Sequence, residues 1–299
     1  MDSSLLRVFL KVYEAGTINR AAASLGLSQP AVTKKLHRLE DEVRAPLFDR
    51  TRRGVSPTPY GRALAEHAQV VEADLRLAQS VIDQLRDGAQ GQVQLGTSPA
   101  LTATLLPAVL VDLRRQRPGI RVRITEGLPE DLLSAVRDGR IDVAACSHIP
   151  GASRAGVASE PLLRDRFFIV IGARHRLFAR RRVSPDELVT ESWVISPNLG
   201  DARRWFERRF DFARSAQPHL GVETTSVACF RELVASGEFV GFAPEQMFAT
   251  ELRARQARLL LRDSFAYSRD VSLLTRQKVR LPPATLIAID LIRRHAGGG

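Results

Sequence analysis

The sequence predicts an α/β chain in three parts: an N-terminal winged helix-turn-helix, one long linker helix, and a C-terminal half built of two α/β subdomains. Three observations carry this. Residues 17–40 read as two short helices joined by a tight turn. Residues 59–87 keep an apolar repeat of about 3.5 residues, the period of a coiled-coil seam. From residue 91 on, strand-length apolar stretches alternate with helical ones, the order that builds a sheet covered by helices.

In the first part, Thr17 can cap a helix whose Ala21, Ala22 and Leu25 form a small apolar face that another helix can approach closely. Gly26 suits the left-handed position after that helix. Ser28 is the natural cap of the next, and Pro30 falls in its first turn, where a missing N–H costs little. Val32, Leu36, Leu39 and Val43 then recur as one buried stripe. Gln29, Pro30, Thr33, Lys34 and His37 fall on the opposite face, which is polar and cationic near its N-terminal end. A helix-turn-helix offers such side chains to base edges in the major groove. A plain helical hairpin with a solvated face has the same periodicity.

Residues 2–15 form an amphipathic helix that supplies a third wall through Leu5, Leu6, Phe9, Val12 and Tyr13. After Val43, Leu47 and Phe48 anchor a short strand. Arg50-Thr51-Arg52-Arg53-Gly54 turns at its tip, with Gly54 permitting a positive φ. This is a wing, and Arg50, Arg52 and Arg53 can reach phosphates or a narrow minor groove.

Ala-Ala-x-x-Leu at 21–25, Leu-Ser-Gln-Pro-Ala-Val-Thr at 27–33 and Leu-x-x-Leu-Glu at 36–40 resemble the DNA-binding segment of LysR-type transcriptional regulators. The resemblance implies that Ser28, Gln29, Pro30, Thr33, Lys34 and Arg38 face double-stranded DNA at an operator with an inverted repeat. It also implies RNA polymerase as a further partner.

Thr58 and Pro59 open the linker helix, by a cap and a first-position proline. At 1.5 Å per residue it spans roughly 40 Å. Leu64, Ala68, Val71, Leu75, Ala78, Ile82 and Leu85 form the seam. A helix this long has too little protein around it to bury that seam alone, so a second copy of the chain is the expected partner. The family resemblance implies antiparallel pairing in a homodimer or homotetramer.

Gly88-Ala89-Gln90-Gly91 marks a boundary. The expected domains are 1–58, 59–90 and 91–299. The last divides into subdomain I, about 91–161 and 268–299, and subdomain II, about 162–267. The pattern predicts strands at 93–96, 121–125 and 141–145, with helices at about 101–116 and 130–138 between them. A second unit starts near Pro161, with strands at 166–171, 193–195, 220–223 and 239–244 and helices at about 202–210 and 227–236. Strand 271–275 and a helix at about 283–295 return to the first unit. Two such subdomains joined by two crossing strands resemble the LysR-type effector domain, which looks like a periplasmic solute-binding protein. Glu232-Leu233-Val234 through Pro244 matches the family's late segment.

Ligands of open α/β sheets bind outside the carboxyl ends of strands. Here those ends offer Thr97, Ser98, His148, Ser196, Asn198 and Thr225, mostly small hydroxyl or amide groups ahead of a helix or loop. Such groups, with helix N-termini, suit a small carboxylate as effector. Each taken singly also fits a helix cap or a strand-end hydrogen bond.

Composition sets limits on these readings. The 299 residues carry a net charge of +11, which favours a polyanionic partner. Residues 1–62 hold 11 Lys+Arg against 6 Asp+Glu, and residues 63–90 hold 2 against 5, so the linker helix is not expected to lie along DNA. Most of the excess lies further on and is almost all arginine. Cys146 and Cys229 lack metal or redox spacing and are expected to be free thiols. The start of the chain is acidic and polar, no apolar run reaches membrane-spanning length, and a cytoplasmic protein without membrane contact is expected. Signatures of hydrolases, zinc proteases, P-loops and dinucleotide folds are absent, so neither catalysis nor a cofactor is expected. Three functions fit: an effector-responsive regulator, an architectural DNA-binding protein whose C-terminal half only oligomerises, and an enzyme or solute binder with a degenerate helix-turn-helix. The intact Gln29, Pro30, Thr33 and Lys34 disfavour the third. The polar strand ends disfavour the second.

Overall fold

The computed structural model describes residues 2–51, 54–87, 91–211 and 219–297. The chain starts with three helices, α1 (Ser3–Ala15), α2 (Ile18–Leu25) and α3 (Gln29–Val43). Their ends follow from local chemistry. Asp2, Thr17 and Ser28 each accept a backbone N–H with the side chain, and Gly16 and Gly26 close the first two helices in the left-handed region. Each such cap stabilises by about 1 kcal/mol. The stripes Leu5, Leu6, Phe9 and Val12, Ala21 and Ala22, and Val32, Leu36 and Leu39 meet in one core. Burying a side chain of leucine or valine size contributes about 1.5–3 kcal/mol.

The wing follows as β1 (Phe48–Thr51) paired antiparallel with β2 (Gly54–Pro57). Gly54 has φ 141°, and a Cβ there would lie 2.3 Å from the Gly16 carbonyl oxygen. Glycine thus lets the wing press on the α1–α2 turn, where the Val55 N–H bonds Gly16 O at 2.9 Å.

Thr58 accepts the Gly61 N–H at 3.0 Å and opens α4 (Pro59–Asp87). The expected seam divides. Leu64 and Ala68 pack into the winged-helix core. Val71, Leu75 and Ile82 stay 43%, 43% and 54% exposed. The side chain of Leu85 and residues 88–90 of the expected boundary lie outside the described residues.

The effector domain begins with β3 (Gly91–Thr97), α5 (Pro99–Thr104), α6 (Leu106–Gln116), β4 (Ile120–Glu126), α7 (Pro129–Arg137) and β5 (Val143–Ser147). Two expectations need correction. The helix expected over 101–116 is two helices, because Pro107 has no N–H to give the preceding turn and its ring crowds that carbonyl. The third strand starts at Val143 rather than 141. Asp142 meets β3 through its side chain as well as its backbone: its N–H bonds the Gln94 carbonyl at 2.9 Å, and its carboxylate, in place of a backbone carbonyl, accepts the Gln94 N–H at 2.8 Å.

Then come β6 (Val157–Gly172), α8 (Pro185–Val189), β7 (Ser192–Ile195), α9 (Asp201–Asp211), β8 (His219–Glu223), α10 (Val227–Ser236), β9 (Val240–Pro244), α11 (Ala249–Arg253), β10 (Ala257–Leu260), β11 (Ala266–Arg276) and α12 (Pro283–Gly297). The short elements α8, α11 and β10 were not expected. Ser184 and Glu187 form a reciprocal capping box that signals α8.

The strands form one sheet of order β4-β3-β5-β11-β6-β9-β7-β8, with β10 beside β6. The long strands β6 and β11 pair antiparallel from Val157↔Arg276 to Phe168↔Ala266 and so run through both subdomains. One apolar core gathers β3, β5, α6 and α12. Another gathers Trp193, Phe206, Phe210, Phe242 and Phe265 with β6. Among the described residues, no helix is long and apolar enough to cross a membrane.

Candidate nucleic-acid interface and effector cleft

The outward face of α3 follows from its inward one. With Val32, Leu36 and Leu39 in the core, the helical period turns Gln29, Pro30, Lys34, His37, Arg38 and Asp41 to solvent, where they line one shallow groove with the half-buried Thr33, whose hydroxyl is out of solvent. Lys34 has no partner among the described residues. Arg38 reaches Glu42 at 3.5 Å, and His37 Nδ1 lies 3.3 Å from Glu40. The Ser28 hydroxyl accepts the Ala31 N–H at 3.4 Å, so it caps the helix and stands beside the groove rather than in it. Arg50 is exposed on β1, across from Val55. Arg52 and Arg53 lie outside the described residues.

A second site lies at the carboxyl ends of the parallel strands, between the subdomains. A cavity of about 320 Å³ is lined there by Ser98, Ser196, Asn198 and Thr225, four of the six residues expected. The hydroxyl of Ser98 is out of solvent and has no hydrogen-bond partner among the described residues. The other two residues do not line it. Thr97 is the last residue of β3, and alternation turns its side chain into the sheet interior, where it is wholly buried. The His148 ring sits 3.0 Å from the Ser272 hydroxyl, on the β11 side, and does not line the cavity.

Sequence reasoning missed the charged centre of this cleft. Arg269 on β11 lines the cavity, stacks over the Phe167 ring at 4.5 Å, and gives two N–H bonds to Asp165 at 3.1 and 3.3 Å. Asp165 and Arg269 are direct cross-strand partners, as are Arg164 and Asp270. The dipeptides Arg164-Asp165 and Arg269-Asp270 were a readable signal, because antiparallel strands set each arginine against the other strand's aspartate. Burial pushes the Asp165 carboxyl up, and the Arg269 guanidinium pulls it back. Arg269 is the one cation among the described residues lining the cavity, and Glu126 and Asp131 add carboxylates at its rim.

Both cysteines are free. Burial, with Glu130 nearby, pushes the Cys146 thiol up to about 12, so it is no thiolate at neutral pH.

Comparison with known proteins gives the family of both parts of the chain. Residues 3–62 match the bacterial regulatory helix-turn-helix protein of the lysR family, and residues 86–297 match the LysR substrate binding domain. The HTH-type transcriptional regulator CbbR of Xanthobacter flavus is 28% identical over 292 residues, 97% of this chain and 86% of that protein. Among solved structures, full-length CbnR complexed with its target DNA superposes with a TM-score of 0.67 at 18% identity, covering 99% of this chain and 100% of that one. Full-length LysG of Corynebacterium glutamicum with bound effector Arg gives 0.65 at 18% identity, covering 100% and 99%. The chain belongs to the LysR family of transcriptional regulators.

Proposed function

We propose that this regulator binds operator DNA through α3 and the wing, and that a small carboxylate held between the two subdomains sets its activity. Residues 1–58 would read DNA, 59–90 would pair two copies in a homodimer or a tetramer built from it, and 91–299 would sense the effector. Ser28, Gln29, Pro30, Thr33, Lys34 and Arg38 would act from α3, and Arg50, Arg52 and Arg53 from the wing. No catalytic role is assigned. Such a protein works in the cytoplasm, where it would act on RNA polymerase at a bound promoter.

The observation that carries the effector reading is the Ser98 hydroxyl, buried beside the cavity without a partner among the described residues. A buried polar group left unpaired is costly, and a ligand oxygen would satisfy it. Because Asp165 already answers Arg269, recognition of a carboxylate rests mainly on neutral donors: Ser98, Ser196, Asn198 and Thr225. A second reading is favoured by Glu126 and Asp131, which would suit an amino group on the same molecule. The arginine held by LysG has both groups.

A thermal-shift screen of carboxylates and amino acids tests this, run on the chain and on Ser98→Ala. Stabilisation by a ligand that Ser98→Ala blunts, with DNA binding kept, is expected. A full ligand response in Ser98→Ala would exclude this placement of the pocket.

A further inference from the structure

The effector domain has a second cavity at its other end, facing α4. It measures about 510 Å³ and lies at the amino ends of β3 and β4. Four arginines line it: Arg76 from α4, Arg121 from β4, Arg276 from the end of β11, and Arg280 from the loop that follows. Arg76 gives a hydrogen bond to the Gly139 carbonyl. Arg276 bonds Asp74 of α4 at 2.7 Å through Nη2, while its Nη1 is out of solvent and has no partner among the described residues. Arg121 and Arg280 are exposed and have no partner among the described residues. The one acid in the described lining is Asp142: burial pushes its carboxyl up, and the Gln94 N–H with the Arg76 and Arg276 guanidiniums pulls it back.

Among the described residues four arginines thus stand against two acids, Asp142 in the lining and Asp74 paired with Arg276, around a concave space, and Arg121 and Arg280 are left free to take an anion. A solvated basic face would spread its arginines over a convex surface. We propose that this cavity binds a small, multiply charged anion of the organic phosphate class, between the linker helix and the effector domain. Guanidinium forks match phosphate oxygens in pairs. The volume suits a small metabolite.

The position gives such a ligand a consequence. Arg76 belongs to the helix that carries the DNA-binding unit, and the other three arginines belong to the effector domain. The direct joint between these parts is small and close. A Cβ on Gly139, whose φ is +69°, would come 2.3 Å from the Ala73 Cβ. An anion held from both sides would stiffen this joint. It would be an input separate from the cleft between the subdomains.

The test is calorimetric titration of the full-length chain with inorganic pyrophosphate at fixed ionic strength. Two double variants accompany it: Arg121→Gln with Arg280→Gln, and Arg181→Gln with Arg182→Gln as a charge-matched control outside the cavity. Saturable binding of one pyrophosphate per chain is expected. Its affinity should fall about tenfold or more in the first variant and stay unchanged in the second. The first pair is exposed and unpartnered, so its thermal midpoint should match that of the unaltered chain. Absence of saturable binding, or equal losses in both variants, would overturn the proposal. Ser98→Ala should bind pyrophosphate normally, which separates this site from the cleft.

Discussion

The winged-helix unit and the effector domain set out their functional groups in different ways. In α3, fifteen residues carry two tasks: Val32, Leu36 and Leu39 hold the helix to its core, and Gln29, Pro30 and Lys34 face outward. The cleft has no such self-contained element. Ser98, Asn198, Thr225 and Arg269 come from distant parts of the chain, and two crossing strands bring them together. The difference teaches where a substitution will be felt. A change on the outer face of α3 leaves the buried stripe alone. A change at Arg269 uncovers a buried carboxylate and reaches both subdomains.

The largest effect is expected on α4, which belongs wholly to neither region. Leu75 is 43% exposed in a single chain, in line with Val71 and Ile82. Leu75→Glu should leave the monomer folded but place an unpaired charge in the seam between two copies, at a cost of roughly several kcal/mol. Sedimentation should show a smaller species, with operator binding lost. A dimeric, operator-binding Leu75→Glu would remove the seam assignment.

Arg269→Ala comes next. It leaves Asp165 buried without its partner, a loss of about 3–5 kcal/mol for a broken buried pair. Both tryptophans, Trp193 and Trp205, lie in the effector domain, so their fluorescence reports its unfolding. The expected result is a lowered effector-domain transition, with the helicity of the winged-helix unit retained. An unchanged transition would mean that the crossing strands do not depend on this pair.

A smaller effect is expected from acid. Burial holds the His175 imidazole below its ordinary range, against the pull of Glu191 at 3.6 Å. The folded state thus prefers the neutral ring. The associated stability is present above the ordinary imidazole value and is lost as pH falls towards the lowered one. The tryptophan-monitored transition should weaken below about pH 6, and His175→Gln should flatten that slope. An identical slope in the variant would assign the acid sensitivity to another group.

The same contrast explains what was legible in the sequence. The caps at Thr17 and Ser28, the stripe of α3 and the positive φ of Gly54 are decided by neighbours a few residues away, and all are as expected; the close approach of Gly54 to Gly16 is a contact between distant positions that the sequence did not announce. The order of strands and helices was readable because periodicity is local too. The side-chain directions at the strand ends were not. His148 turns to Ser272, which is 124 positions on and lies beside it only because of the β5–β11 register. Thr97 and Ser98 are adjacent, yet only Ser98 reaches the cavity, because the strand ends between them. The break before Pro107 was readable and passed over, as was the charge pattern of the crossing strands.

The most direct test of the central claim, that the outer face of α3 reads base sequence, is selection of binding sites from a random duplex pool. The chain and Gln29→Ala are run side by side. Glutamine can pair with adenine through two hydrogen bonds. The unaltered chain should enrich an inverted repeat, and Gln29→Ala should lose about 1–3 kcal/mol of preference at one position in each half-site while keeping the rest. If both proteins enrich the same sequence with the same preference at every position, Gln29 does not read a base and the account of α3 is wrong.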